Sequence, residues 1–218
     1  MAAPGIPRCV PSFDLSGRAV VAACRSRGGR GGGAATGPTS PGLEPPTERD
    51  VTPSSAPPLR AARDADGAGL AALIAACFAE YEGCVFDPRE FPELDAVADH
   101  FARAGGRLWV AEVGGAVVGS LGARPAADGV ELVKVYVARP WRGSGLADAL
   151  LVAGLNFARA RAAPQVELWS DTRFARAHVF YLKHGFERTG ERRFLADASA
   201  SWEERFVRAC PLPPRTRP

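Results

Sequence analysis

The sequence predicts an α/β protein of the α+β type, with one folded domain behind a long N-terminal extension. Apolar residues recur at helical spacing in some segments and alternate as in strands in others, and glycine or proline separates most of these segments. The predicted order is strand, two helices, three strands, helix, strand, helix and two strands. A chain of 218 residues is long enough for one such domain with a proper core.

Composition narrows the class of protein further. The formal net charge of +3 is too small, and too evenly spread, to indicate a nucleic-acid partner. The five cysteines are odd in number and show no metal-ligand spacing, which favours free thiols in a reducing compartment over a zinc site or a disulfide framework. No apolar run reaches the roughly 18 residues that cross a bilayer. We therefore expect a soluble, cytoplasmic protein with no membrane partner.

The extension covers residues 1–57 and is rich in proline, glycine, serine and arginine. It offers too little apolar surface to offset the entropy of ordering, so we expect it to be disordered. Two alternatives stay open, namely RNA contact through the Arg-Gly run at residues 27–33 and an organelle transit peptide. The folded domain is predicted to span residues 58–210, and residues 211–218 are predicted to be a disordered tail.

The first half of the domain is predicted to contain two helices and four strands. A glycine pair, Gly114-Gly115, predicts a tight hairpin turn between the second and third strands. A second turn near Asp128-Gly129 leads into the fourth strand, so three antiparallel strands follow one another. The predicted bounds are a strand over residues 59–63, a helix whose buried face is formed by Leu70, Leu73, Ile74, Cys77 and Phe78, a helix from about 93 to 104, and strands over 107–113, 116–123 and 130–137.

The second half is predicted to contain two helices and three strands. Gly185 follows the last helical residue and is typical of a helix C-terminus. The predicted bounds are a helix from 146 to about 161, a strand over 165–170, a helix over 173–184, and strands over 186–194 and 202–208.

An anion site is predicted between the fourth strand and the following helix, at Arg142-Gly143-Ser144-Gly145-Leu146-Ala147. The start of a helix leaves backbone N–H groups without partners, and glycine lets a phosphate approach them closely. No lysine follows the second glycine as a P-loop requires, and Asp148 stands where a dinucleotide fingerprint has its third glycine. The alternative is a glycine-rich turn that simply begins an ordinary helix.

The pattern Arg-x-x-Gly-x-Ala after a strand resembles the pyrophosphate-binding signature of the GNAT superfamily of acyl-CoA-dependent N-acyltransferases. A second stretch, from Trp169 to Phe186, resembles the other GNAT signature, with Ala177, Tyr181 and Gly185 at its characteristic positions. The predicted order of elements also matches that fold from about residue 59 to residue 209. One departure is Phe174, because the family often has asparagine there.

The resemblance implies a central mixed, mostly antiparallel sheet that is splayed between its fourth and fifth strands and flanked by helices. It also implies acetyl-CoA as the acyl donor and no metal. The donor is expected to pair with the main chain of the fourth strand and to place its pyrophosphate in the glycine loop. The residues implied in binding are Val135, Tyr136, Val137, Arg142, Gly143, Ser144, Gly145, Leu146 and Ala147.

The same resemblance assigns the two catalytic roles. Tyr181 is implied as the general acid that protonates the departing thiolate, with a core tyrosine whose hydroxyl is satisfied as the alternative. Glu131 is the candidate base, since strand alternation aligns it with Val135 and Val137 near the expected thioester site. Its alternative is a solvent-facing acid at a strand end. Lesser candidates for the base are Glu167, Asp171 and His178.

The sequence thus predicts an N-acetyltransferase that moves the acetyl group of acetyl-CoA to a primary amine by direct attack. The alternative is a catalytically silent acyl-CoA-binding sensor or interaction module. An acidic stretch over residues 80–93 suits a cationic acceptor, and the alternative is a solvated acidic loop. The expected partners are acetyl-CoA and an amine, with no nucleic acid. A homodimer that uses the strand at 202–208 as its edge stays open.

Overall fold

The computed structural model describes residues 55–210, so most of the predicted extension and the whole predicted tail lie outside the described residues. The predicted order of strands and α-helices is confirmed, and short 3-10 helices join several of them. The bounds are β1 Leu59–Ala61, α1 Gly67–Phe78, α2 Val97–Arg103, β2 Arg107–Val113, β3 Ala116–Ala126, β4 Gly129–Val137, α3 Leu146–Ala160, β5 Gln165–Asp171, α4 Ala175–Lys183, β6 Glu187–Phe194 and β7 Trp202–Ala209.

Two predicted helices are shorter than expected. The second begins as a 3-10 helix over Pro92–Ala96 and becomes α-helical only at Val97, because Ala96 has φ −148° and ψ 61°. The last begins at Ala175 instead of Arg173, because the backbone N–H of Arg173 donates to the side chain of Asp171 in a turn. Both differences arise from local contacts that hydrophobic periodicity does not report.

The seven strands form one sheet in the order β1-β2-β3-β4-β5-β7-β6. The expectation that the strand at 202–208 is an edge is therefore wrong, because β7 pairs with both β5 and β6. All neighbours pair antiparallel except β4 and β5, which run parallel. The parallel pairing covers only Val130–Leu132 against Val166–Leu168, after which the two strands are no longer paired. The predicted splay between the fourth and fifth strands is therefore present, and it opens a gap in the middle of the sheet.

A β-bulge in β4 changes which residues share a face. The register between β3 and β4 shifts between Ser120 and Gly122, and Lys134 has a left-handed φ of 54°. The Ser120 hydroxyl donates to the Lys134 carbonyl at 2.7 Å, which fixes the extra residue against β3. Beyond the bulge the alternation is inverted. The expectation that Glu131 shares a face with Val135 and Val137 is therefore wrong.

Two apolar clusters cover the opposite faces of the sheet. Helices α3 and α4 pack on the face that carries Val130, Leu132, Val135 and Val137. Helices α1 and α2 pack on the other face, where Val133 and Tyr136 contact the second cluster. Within residues 55–210, no helix has both the length and the apolar composition that a membrane crossing requires.

Candidate active site

The predicted anion loop connects β4 to α3. A 3-10 helix over Arg139–Trp141 follows β4, and Gly143 and Gly145 then adopt left-handed φ values of 80° and 86°. The Ser144 hydroxyl donates to the Trp141 carbonyl at 2.7 Å and closes the turn. Helix α3 starts at residue 146, so the N–H groups of its first turn are available to a ligand. The loop has the backbone geometry of an anion site.

Arg142 in this loop is held by other protein groups. Its guanidinium contacts both oxygens of Glu80, at 2.7 and 2.6 Å, and its Nε donates to the Val137 carbonyl at 3.1 Å. These bonds join the end of α1 to the end of β4. They also hold the pKa of Glu80 below its usual value. The guanidinium is therefore engaged by other protein groups.

A cavity of about 330 Å³ adjoins the loop, and we call it the donor cavity. It lies between β4, the loop and α4. Every predicted binding residue lines it except Ser144 and Leu146, the latter being fully buried in the core. A substituent at Gly145 Cβ would meet nothing within 4 Å, so the loop faces open space.

A second cavity of about 120 Å³, here called the acceptor cavity, lies at the gap between β4 and β5. Residues from both faces of the sheet line it, because the gap passes through the sheet. Glu131, Trp169 and Arg193 line it from one face, and Leu132 and Tyr181 line it from the other. The two cavities share Val135, Tyr136, Phe174, Ala177 and Tyr181 in their walls.

Tyr181 lies where the two cavities meet. Its side chain is 5% exposed, and its ring packs against Phe180, Phe186 and Phe206 at centroid distances of 5.7 to 5.8 Å. Within residues 55–210 its hydroxyl has no hydrogen-bond partner, and burial alone raises its pKa. This geometry differs from that of a core tyrosine with a satisfied hydroxyl. At neutral pH the group is a protonated donor without an acceptor.

Glu131 lines the acceptor cavity and is 7% exposed, so it is not the solvent-facing acid considered as its alternative. Arg124 stands directly opposite on β3, and its Nε and Nη2 contact one carboxylate oxygen at 2.9 and 2.7 Å. Burial raises the pKa of Glu131, and the charge of Arg124 opposes that rise. Glu131 is thus a buried carboxylate whose ionised form is disfavoured by burial and favoured chiefly by Arg124.

The lesser candidates for the base are engaged in structural contacts. Glu167 pairs with Arg205. His178 Nε2 lies 3.0 Å from the Asp171 carbonyl, and the ring packs on Phe206. Burial lowers the pKa of His178, so the imidazole is neutral at pH 7. Asp171 itself is bound by the neighbouring arginine at position 173.

The acidic stretch over residues 80–93 does not line the acceptor cavity. Glu80 binds Arg142, Asp87 binds the neighbouring arginine, and Glu90 accepts a hydrogen bond from the Ala198 N–H at 2.7 Å. Glu93 pairs with Lys134, whose ammonium lies 4.4 Å from the Phe91 ring centre. These carboxylates therefore stabilise the protein, and they give little support to an acidic acceptor entrance.

Sequence reasoning missed Arg124 and Arg173, which contact predicted site residues. The sequence does contain a signal for Arg124, because the turn near Asp128-Gly129 sets a strand register in which Arg124 faces Glu131. Phe174, which replaces the expected asparagine, packs on Tyr81 with ring centres 4.7 Å apart. Residues 55–210 contain no group of three side chains placed to hold a metal ion.

Comparisons with known proteins agree on one family. Residues 104–188 match a family model described as an acetyltransferase (GNAT) domain. N-acetyltransferase 8F1 of Rattus norvegicus is 35% identical over 106 residues, which are 46% of this chain and 48% of that protein. The chain thus spans about half the length of the curated relatives that it matches.

Solved structures agree on the fold. A GNAT-family acetyltransferase from Staphylococcus aureus Mu50 superposes with a TM-score of 0.60 at 17% identity, over 71% of this chain and 99% of that one. The PaiA N-acetyltransferase of Thermoplasma acidophilum, solved in complex with coenzyme A, superposes with a TM-score of 0.52 at 12% identity, over 68% and 96%. These similarities support the fold alone.

Proposed function

The chain carries a domain of the GNAT acetyltransferase superfamily, and on that premise we propose that it is an N-acetyltransferase that moves the acetyl group of acetyl-CoA to a primary amine. The junction of the two cavities at Tyr181 carries the proposal. A donor and an acceptor that enter from opposite sides would meet there. The acceptor, whether a small molecule, a lysine side chain or an N-terminus, is left to experiment.

The donor's pyrophosphate is proposed to bind the main chain from Gly143 to Ala147. Three features of the chain fit that group: the free N–H groups at the start of α3, the open space at Gly145, and the cavity beside them. Val135 and Val137 are proposed to position the pantetheine arm through their main chain. The Val137 carbonyl already accepts a hydrogen bond from Arg142. A pantetheine N–H that binds this carbonyl would share the oxygen with Arg142.

The chemistry requires a neutral amine and a proton for the thiolate. Glu131 is proposed to take a proton from the ammonium group of the acceptor. The amine nitrogen then forms a bond to the thioester carbonyl carbon, and the carbon–sulfur bond breaks. Tyr181 is proposed to donate its phenolic proton to the sulfur and to recover one from the newly acylated nitrogen, which thereby loses its second proton. Glu131 then returns its own proton to solvent. Because the gap joins both faces of the sheet, the acid and the base act on one reaction centre from opposite faces.

The test is release of free thiol from acetyl-CoA by the purified full chain, in the presence of polyamines, aminoglycosides, amino acids and lysine peptides. Turnover that saturates with one amine is expected and would name the acceptor class. The alternative is a silent acyl-CoA-binding module. It would bind acetyl-CoA in a calorimeter and release no thiol with any amine.

Glu131 gives the proposal a pH signature. A base works only when ionised, and burial raises the pKa of Glu131, so kcat/KM is expected to fall on acidification at a pH above the usual carboxyl range. Arg124 opposes that rise, so Arg124→Gln is expected to move the acid limb to higher pH by about one unit. Glu131→Gln is expected to abolish the limb and to lower kcat by about 10²-fold.

The measurement is kcat/KM against pH for the two variants and the parent chain. Arg103→Gln is the matched control, because Arg103 is an exposed arginine whose ion-pair partner is Asp99. An acid limb that stays in place in Arg124→Gln would show that Glu131 is not the group that titrates.

A further inference from the structure

Arg173 has no role in the proposed chemistry, yet it is one of the most extensively bonded side chains of the domain. It lies between the end of β5 and the start of α4, the helix that carries Tyr181. Its Nε and Nη2 bind the two oxygens of Asp171 at 2.9 and 2.6 Å. Its Nη1 donates to the Gly83 carbonyl at 2.9 Å, and its Nη2 also donates to the Ser201 hydroxyl at 2.8 Å. One guanidinium thus holds three separate segments.

Two of these segments are loops that also bind each other directly. The first, residues 83–90, follows α1, and the second, residues 195–201, joins β6 to β7. The Val85 N–H donates to the Ser199 hydroxyl at 2.8 Å, and that hydroxyl lies 3.2 Å from the Val85 carbonyl. The Ala198 N–H donates to Glu90 at 2.7 Å. We call this set of contacts, together with Arg173, the clasp.

The clasp borders the acceptor cavity. Asp171 and Ser201, which Arg173 binds, line that cavity, as does Leu195 at the start of the second loop. Its volume of about 120 Å³ is near a third of the 330 Å³ of the donor cavity. It also falls below the roughly 300–1,000 Å³ that is usual for pockets that enclose whole small molecules. Such a space admits an amine and a short length of chain.

We infer that Arg173 is a positioning residue that holds the clasp closed and thereby restricts the acceptor to amines on slender, unbranched chains. The inference rests on the proposed function for its substrate and on the contacts of Arg173 for its mechanism. Arginine suits this task because its planar group donates in several fixed directions at once. Lysine keeps the charge beside Asp171 but does not reach Gly83 and Ser201 together.

The first measurement is amide hydrogen exchange in the full chain, which requires no turnover. Arg173→Met is expected to speed exchange at Val85 and Ala198 by at least about 10-fold, because both amides donate across the clasp. Arg173→Lys is expected to recover only part of the protection. Arg103→Met, at an exposed arginine on α2, is the matched control and is expected to change neither amide. Unchanged exchange in Arg173→Met would overturn the inference whether or not the protein is an enzyme.

The second measurement is selectivity between a linear amine and its α-branched analogue. Arg173→Met is expected to raise the ratio of kcat/KM for the branched to that for the linear amine by at least about 10-fold, through KM, while the Kd of acetyl-CoA stays constant. Ser199→Ala removes one hydroxyl between the loops and is expected to shift the ratio in the same direction, even if Arg173→Met folds poorly.

A merely structural arginine would lower stability and leave the ratio unchanged, which would overturn the selectivity role. If the parent chain acetylates no amine, the proposed function fails, and the exchange data still decide whether the clasp exists.

Discussion

Tyr181→Phe is expected to lower kcat by about 10²-fold or more and to leave the Kd of acetyl-CoA within about two-fold of the parent value. The substitution keeps the ring that packs against Phe186 and Phe206 and removes only the hydroxyl. That hydroxyl has no partner among residues 55–210, so its loss breaks no structural bond. Any large effect on turnover then reports its action as a proton donor.

The measurements are steady-state kinetics with the best amine and calorimetric titration with acetyl-CoA. Because burial raises the pKa of Tyr181, the donor stays protonated beyond the ordinary tyrosine range, and kcat should show no basic limb from this group between about pH 6 and 9. A kcat within about three-fold of the parent value would place the proton donor elsewhere.

The backbone geometry of the loop at residues 142–147 could be predicted from sequence because it is local. A strand, two glycines and a helix within a few residues determine where N–H groups are free, whatever surrounds them. The order of strands and helices follows equally from periodicity within each segment. The splay of β4 from β5 came from family resemblance, since no local feature of either strand predicts where their pairing stops at Leu132.

The arrangement of the proposed catalytic side chains could not be predicted, because it depends on the bulge at Lys134. Strand alternation predicts that Glu131 lies on the face of Val135, and the bulge at Lys134, three residues after Glu131, inverts that alternation. The result still brings Glu131 and Tyr181 to one cavity, since the gap between β4 and β5 connects the two faces. The bulge is fixed by a hydrogen bond from Ser120 on the neighbouring strand. The alternation of residues within one strand cannot predict such a contact.

The contacts of the loops were also beyond sequence reasoning, for a different reason. Arg142 and Glu80 are 62 residues apart, and Arg173 lies 90 residues from Gly83. Each pairing exists only once the sheet has brought the loops together. The number of acidic residues over 80–93 therefore suggests an acidic surface for a cationic acceptor. In the structure, most of these carboxylates bind other groups of the protein.

Gly145→Glu is expected to weaken acetyl-CoA binding by at least about 100-fold while the domain stays folded. Gly145 has φ 86°, so any side chain there adds strain of about 1–3 kcal/mol, but its Cβ would point into open space. A carboxylate beside the first turn of α3 is favourable for the helix and occupies the position proposed for the pyrophosphate. The protein is thus expected to lose the ligand and keep the fold.

The chain offers a matched control for the strain in that variant. Gly190 in β6 has φ 82°, also has open space at its Cβ, and lines neither cavity. Gly190→Glu therefore adds the same charge at a similar backbone angle, and we expect its Kd for acetyl-CoA to stay within about two-fold of the parent value. Gly145→Gln separates the effect of bulk from that of charge. Its expected loss of acetyl-CoA affinity lies between the losses of the two glutamate variants. Equal losses in Gly145→Glu and Gly190→Glu would assign the effect to strain or net charge and would remove the loop from the donor site.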